Sequence, residues 1–325
     1  MFSNCKIRTR GVNSGYNDQS LAALRVRRRF DSVADKPIQI RSNLAVVRDH
    51  SRTFADFTFV YPVISRRSGG LSIGINLNPD KICNFDCIYC EVDRQIPGKV
   101  SNVDLNQMRD ELAAMIRFVK DGGLAKEPKF DELPAYLTRN IKDIAFSGDG
   151  EPTMIHNFAE CAEVVAGVKR AEGLDRTRLV LITDAAGLDK ADVKRGLKIL
   201  DANNGEVWGK LDAGTEEYFK RVNRTAVRFD RVLKNLRETA EARPITIQSL
   251  FLKVNGAIMP AAELEAFCDR LKEITNHGGR INSVHAYTIA RPTTEASATK
   301  LSATELESLA RVIRARTGLP VRTFD

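Results

Sequence analysis

Leu71-Ser-Ile-Gly-Ile-Asn-Leu77 is followed, after five further residues, by Cys83-Asn-Phe-Asp-Cys87-Ile-Tyr-Cys90. Apolar side chains at every second position give the first segment the period of a β-strand. The second segment leaves the carboxyl end of that strand and carries three thiols within eight residues. Next, Asp104 opens a helix with Gln107 three residues on, as in a capping box, and an apolar stripe through Leu105, Met108, Leu112, Met115 or Ile116, and Val119. Gly122-Gly123 ends it. Strand, cysteine-rich loop and helix make one βα unit.

Upstream, Phe57 to Ile64 reads as an edge strand or hairpin arm that returns through Arg66-Arg67-Ser68-Gly69-Gly70. Downstream, Lys126 to Asn140 reads as a loop insertion before the strand Ile141 to Phe146. The spacing then predicts helices over 157–171, 190–200, 229–242 and 260–275, alternating with strands over 178–183, 206–211, 245–252 and 281–289. Ser302-Ala-Thr-Glu305 is a second capping box, opening a helix that stops at Gly318 and Pro320 before a short last strand, Val321 to Phe324. Six successive strand–helix units predict an α/β fold with a mainly parallel sheet, either open and doubly wound or curled into a barrel. In both cases a site forms at the carboxyl ends of the strands.

The chain has 325 residues, 43% hydrophobic and 28% charged, which excludes disordered and fibrous classes. Its formal charge of +8 is unevenly placed. Residues 1–52 hold 11 Lys or Arg against 4 Asp or Glu, leaving 39 against 38 in residues 53–325. The first stretch reads as a basic, mobile arm, and residues 53–325 as the folded domain. No run of apolar residues is long enough to span a membrane, and the start lacks the pattern of a secretory signal. The expectation is a soluble, cytoplasmic protein without a membrane partner.

Of six cysteines, Cys5, Cys161 and Cys268 stand alone, whereas Cys83, Cys87 and Cys90 are clustered. Such clustering suits a metal site in a reducing compartment better than a disulfide framework. Soft thiolates select iron–sulfur clusters, zinc or copper(I). Structural zinc normally takes four protein ligands and an electron-transfer [4Fe–4S] cluster four cysteines. Three thiolates suggest a cluster with one iron left open. Cys161 and Cys268 fall inside predicted helices and read as buried thiols. His50, His156, His277 and His285 show no ligand spacing.

This C-x3-C-x2-C spacing, with Tyr89 before the third cysteine, resembles the signature of the radical S-adenosylmethionine (radical SAM) enzymes. The resemblance implies a (β/α)6 partial TIM-type barrel from Leu71 to about Ile289, a [4Fe–4S] cluster on Cys83, Cys87 and Cys90, and Tyr89 beside the cofactor. It also implies S-adenosylmethionine on the open iron, cleaved by an electron from the cluster to a 5′-deoxyadenosyl radical that takes hydrogen from a substrate. Ser147-Gly148-Asp149-Gly150-Glu151-Pro152-Thr153, after the next strand, resembles the family's Gly-Gly-Glu-Pro motif, with Asp149 separating the glycines. That implies Gly148, Gly150, Glu151 and Pro152 near the methionine amino group, where Glu151 can accept hydrogen bonds from an ammonium.

Thr183 and Asp184, Lys210 and Asp212, Gln248 and Ser249, Tyr287 and Arg291 stand on or after later strands and could contact ribose, carboxylate or substrate. Each also fits a solvated loop, a surface pair or core packing. Ile75-Asn-Leu-Asn-Pro79 together with Gly150-Glu-Pro-Thr153 is most similar to the wyosine-related iron–sulfur oxidoreductase group, which implies a tRNA base as a possible substrate. A glycyl-radical activase or peptide-modifying enzyme is the alternative within the same chemistry, and a non-catalytic iron–sulfur electron carrier or zinc-binding module is the alternative outside it. The electron is expected from a separate flavodoxin- or ferredoxin-type donor.

Overall fold

The computed structural model describes residues 52–96, 98, 100 and 102–325; the predicted arm apart from Arg52, with Cys5 and His50, lies outside the described residues. Among the described residues eight strands form one sheet in the spatial order β1 (Val60–Ser65), β2 (Gly70–Ile75), β3 (Ile141–Phe146), β4 (Arg178–Thr183), β5 (Gly205–Lys210), β6 (Ile245–Leu250), β8 (Ile281–Tyr287) and β10 (Val321–Phe324). β1 is antiparallel to β2 and every later pair is parallel. β7 (Leu252–Val254) and β9 (Ala298–Lys300) pair antiparallel in a sheet of their own.

Period-2 alternation divides each parallel strand between two environments. Leu71, Ile73 and Ile75 of β2, Ile144 and Phe146 of β3, and Leu179 and Leu181 of β4 join the main core under the helices. The opposite face carries Ala145, Val180 and Trp208, a small separate apolar cluster. Tyr61, Ser72, Ala145, Trp208, Gln248 and Tyr287, from six of the strands, line one cavity. In a flat sheet β1 and β8 would lie about 29 Å apart, six spacings of ~4.8 Å. The sheet is therefore curled into a partial barrel around that cavity. The β1–β2 hairpin reaches across the opening: Arg67 donates to Gln248 Oε1 of β6 at 3.1 Å, and Arg66 donates to the Asp325 carbonyl.

The helices follow their sequence signals. α1 (Leu105–Lys120) is capped by Asp104, whose carboxylate accepts the Asn106 and Gln107 amides, and it buries Met108, Leu112, Met115, Ile116 and Val119. Gln107 does not complete a capping box, because its amide donates instead to Thr58 Oγ1 and Glu111 Oε1. The stretch expected to be loop before β3 contains a short helix, α2 (Ala135–Arg139), entered through Pro134. α3 (Phe158–Ala171) and α4 (Ala191–Asp201) lie close to prediction. α5 (Glu216–Asn223) was not expected; Thr215 caps it, and its eight residues are too few for a clear apolar period. α6 (Phe229–Ala242), α7 (Ala261–Asn276) and α8 (Ala303–Thr317) complete the set, the last with the predicted capping box and Gly318 at φ 70°. Cys161 and Cys268 are fully buried within α3 and α7. His156 and His277 are exposed. Among the described residues no helix is long and apolar enough to cross a membrane.

Candidate active site

The cysteine loop is held mainly by backbone. Asp86 and Ile88 donate their amides to the Asn223 and Val222 carbonyls at the end of α5, at 3.1 and 3.0 Å. Thr225 Oγ1 donates to the Asn84 carbonyl at 2.7 Å. Phe85 packs edge-on against Phe219 of the same helix. The helix missed by sequence reading is thus the clamp for the motif that sequence reading found. Cys83, Cys87 and Cys90 all line the cavity. Arg94 donates to Cys90 Sγ at 2.9 Å, and Asn223 Nδ2 lies 3.4 Å from Cys87 Sγ. Burial pushes the Cys83 thiol up to about 12 and Cys87 up to about 11. Bare thiols here hold their protons, and a bound cation would remove them.

The loop after β3 presses on the loop after β2. A Cβ on Gly148 would sit 2.2 Å from Asn76 Oδ1, and one on Gly150 would sit 1.9 Å from the Ile82 carbonyl. These glycines are therefore required by the neighbouring chain, in addition to any ligand. Asn76 locks the contact: its Nδ2 donates to Asp149 Oδ2 at 2.6 Å, and its Oδ1 accepts the Asp149 and Asn78 amides. Glu151, 3% exposed, accepts from the Thr153 amide and hydroxyl, the Thr183 hydroxyl and the Asp184 amide, all within 3.0 Å. It braces β3 to β4. Beside it, Asp184 lines the cavity with Oδ2 buried and unpartnered. Burial and the Glu151 charge hold the Asp184 carboxyl well above the usual carboxylate range.

A third group sits at the ends of β5 and β6. The Tyr89 hydroxyl donates to Asp212 Oδ2, which also accepts from Asn223 Nδ2 at 3.1 Å. Asp212 Oδ1 accepts the Leu250 amide at 2.8 Å. Lys210 donates to Tyr287 Oη at 2.8 Å, lies 3.4 Å from Asp212 Oδ2, and stands over the Tyr89 ring. Asp212, Tyr287 and Cys87 around it keep the ammonium charged against the cost of burial.

Cys83, Cys87, Cys90, Tyr89, Gly148, Gly150, Glu151, Thr183 and Lys210 thus face one cavity of about 270 Å³. Pro152 and Asp212 lie behind its wall, Pro152 starting a turn of 3-10 helix and Asp212 holding Tyr89. Sequence reading gave no role to Asn76, Arg94 or Asn223. Asn76 had a signal, since a polar residue ends the β2 strand pattern; Arg94 and Asn223 had none.

The chain matches no protein-family model. The curated proteins it is similar to include GTPase Obg of Brachyspira hyodysenteriae, at 27% identity over 179 residues, 54% of this chain and 22% of that protein. UPF0026 protein MJ1312 of Methanocaldococcus jannaschii is 28% identical over 163 residues, 50% of this chain and 43% of that protein. The chain therefore spans less than half the length of these two relatives. UPF0026 protein slr1464 of Synechocystis sp. is 24% identical over 284 residues, 82% of this chain and 96% of that protein. Among solved structures, a radical SAM methyltransferase from Sphaerobacter thermophilus superposes with a TM-score of 0.56 at 15% identity, covering 81% of this chain and 68% of that one. Streptococcus suis SuiB bound to S-adenosylmethionine gives 0.52 at 14% identity, covering 80% and 52%. The fold is that of radical SAM enzymes of known structure.

The residues present fit a thiolate-held cluster with an amino-acid-bearing ligand. Three thiols share one cavity wall. Among the described residues no three His, Cys, Asp or Glu side chains converge as ligands of a single metal ion. A cluster binds each thiolate to a different iron and needs no common point. Asp184 Oδ2, inside the same cavity, has no hydrogen-bond partner, and a cationic group beside it would favour its charged form.

Proposed function

We propose that this protein is a radical SAM enzyme, carried by one observation: Cys83, Cys87 and Cys90 share a cavity with the Gly150-Glu151 loop and Asp184 at the carboxyl ends of parallel strands. Cys83, Cys87 and Cys90 would hold a [4Fe–4S] cluster, and the wall of Gly148, Gly150, Thr183 and Asp184 would hold S-adenosylmethionine. When bound, the reduced cluster supplies the electron that cleaves the sulfonium and releases a 5′-deoxyadenosyl radical. Arg94 and Asn223 orient Cys90 and Cys87 by hydrogen bonds, and buried Lys210 offsets the negative charge that deprotonated thiols bring. Glu151 keeps the Asp184 amide and the β3 loop in register, and Asp184 Oδ2 would be free to accept from the ammonium of the methionine moiety. The β1–β2 hairpin, through Arg66 and Arg67, narrows the opening and restricts water. Tyr89 and Lys210 in the wall, held by Asp212 behind it, fix the cysteine loop against β5. A separate flavodoxin- or ferredoxin-type donor supplies the electron, and a tRNA base is the substrate that the wyosine-like stretch favours.

Anaerobic reconstitution is expected to load about four irons per chain, as a cubane cluster requires. The reduced protein is expected to convert S-adenosylmethionine to 5′-deoxyadenosine and methionine. A loaded, reduced protein that leaves S-adenosylmethionine intact overturns the reading. Cys87→Ala is expected to lose both iron and cleavage. Altered modified nucleosides in tRNA from a deletion strain would test the substrate.

A further inference from the structure

On the cavity wall formed by the hairpin, β6 and β8, two polar side chains, Arg67 and Gln248, keep donors that are not used. Gln248 is fully buried on β6 and lines the cavity. Its Oε1 accepts from Arg67 Nη1 at 3.1 Å. Arginine only donates, so this contact fixes which end of the amide is oxygen. Gln248 Nε2 is then a buried donor with no acceptor. Arg67 lies 4.9 Å above the Tyr287 ring, and among the described residues no carboxylate pairs with it. Its guanidinium has more N–H groups than Gln248 Oε1 can satisfy.

The charge around them points the same way. The cavity is lined by six basic side chains, Arg52, Arg66, Arg67, Arg94, Lys210 and Arg291, against the four carboxylates of Glu91, Asp149, Glu151 and Asp184. Arg52 is paired with Asp149, Arg291 with Glu91, and Lys210 with Asp212 behind the wall. Arg66 donates to the main-chain oxygen of Asp325, and the charges of Glu91 and Asp325 act on it. Burial, followed by the charges of Arg67 and Arg291, pushes the Arg66 guanidinium down to about 10. Arg67 is thus a cavity-lining arginine without a paired carboxylate among the described residues, where the hairpin meets β6 and β8.

We propose that Arg67 and Gln248 Nε2 hold an anionic group of the substrate, a carboxylate or a phosphate, in the same cavity as the three cysteines. Both anions accept the forked donation of an arginine and a further N–H from an amide. The substrate class is thus a carboxylated or phosphorylated molecule, with its anionic end toward the hairpin and the remainder toward the cysteine wall. This inference rests on the reading that the cavity is a radical SAM active site, but its test does not require turnover.

The test titrates the full-length, anaerobically reconstituted protein with sodium phosphate and, separately, with sodium succinate, against sodium chloride of matched ionic strength. Calorimetry gives affinity, and emission from Trp208, the one tryptophan of the chain and part of the cavity wall, reports occupancy. Saturable binding of either anion is expected, and the anion preferred assigns phosphate or carboxylate. Arg67→Gln is expected to weaken it by at least about tenfold, the scale of one lost charge-assisted contact. Arg67→Lys is expected to retain part of it, Gln248→Glu to abolish it, and Lys198→Gln, on the exposed face of α4, to leave it unchanged. Failure of the wild-type protein to bind either anion overturns the proposal, as does equal binding by Arg67→Gln. Loss of S-adenosylmethionine binding in Arg67→Gln with anion binding intact also overturns it, assigning the arginine to the cofactor. Anion binding that depends on Arg67 in a protein unable to cleave S-adenosylmethionine would sink only the enzyme reading.

Discussion

His285 carries the most separable electrostatic consequence among single residues. It lies on β8 at 4% exposure, edge-on to Trp208 at 5.1 Å and Phe324 at 5.2 Å, with Nδ1 unpartnered. Burial first, then the charges of Arg67, Arg322 and Arg178, pushes its imidazole down to about 3. Between pH 3 and pH 6.5 the unfolded chain therefore binds a proton that the folded chain refuses, so stability falls as pH falls through that window. The contribution amounts to about 2 kcal/mol between pH 7 and pH 5. His285→Phe keeps the ring contacts, and urea midpoints at the two pH values should show its acid loss smaller than wild type by that amount; equal losses would refute the burial argument. Residues of this kind explain why the candidate site was only partly legible. Cys83, Cys87 and Cys90 could be read because their spacing is local, and Gly150-Glu151-Pro152 because it follows a strand. Asp184 gains its meaning only from standing next to Glu151 across β3 and β4.

Between elements, the tie from α1 to β1 illustrates a contact that no periodicity announces. Glu111 sits on the buried side of α1 among apolar residues, where a carboxylate would ordinarily be costly. Its oxygens accept the amides of Thr58, Phe59 and Val60 at 2.9, 2.8 and 3.2 Å, satisfying the start of the edge strand. Glu111→Gln turns one acceptor into a donor facing those N–H groups. The loss of hydrogen bonds to a charged partner is expected to cost about 2 kcal/mol. Calorimetry should register a fall in Tm of roughly 4–8 °C, and an unchanged Tm would show that β1 does not depend on this carboxylate. Most helices and strands were predicted within a residue or two because their apolar spacing is regular. α5 escaped because eight residues carry too little pattern, and it is stabilised by Thr215 and by packing of Phe219 against Phe85 and Phe229.

For the whole molecule, stability should be graded across the sheet. β2 to β6 each have hydrogen-bonded neighbours on both sides and apolar side chains under the helices, whereas β7 and β9 form a pair of three-residue strands outside the main sheet. Amide hydrogen exchange is expected to be slowest in β3, β4 and β5 and fastest in β7 and β9; the reverse order would contradict this architecture. Charge is organised at the same scale, because a domain nearly neutral by composition lines one cavity with more arginine and lysine than carboxylate side chains. The alternation of apolar periods determined the α/β class, and the cysteine spacing determined where the chemistry would lie, since both depend on residues close along the chain. Tertiary structure alone decided that the sheet curls instead of lying open, that α5 grips the cysteine loop, and that Arg67, Gln248 and Tyr287 meet. Those contacts join residues that are distant in sequence, and only the twist and closure of the strands bring them within reach of a hydrogen bond.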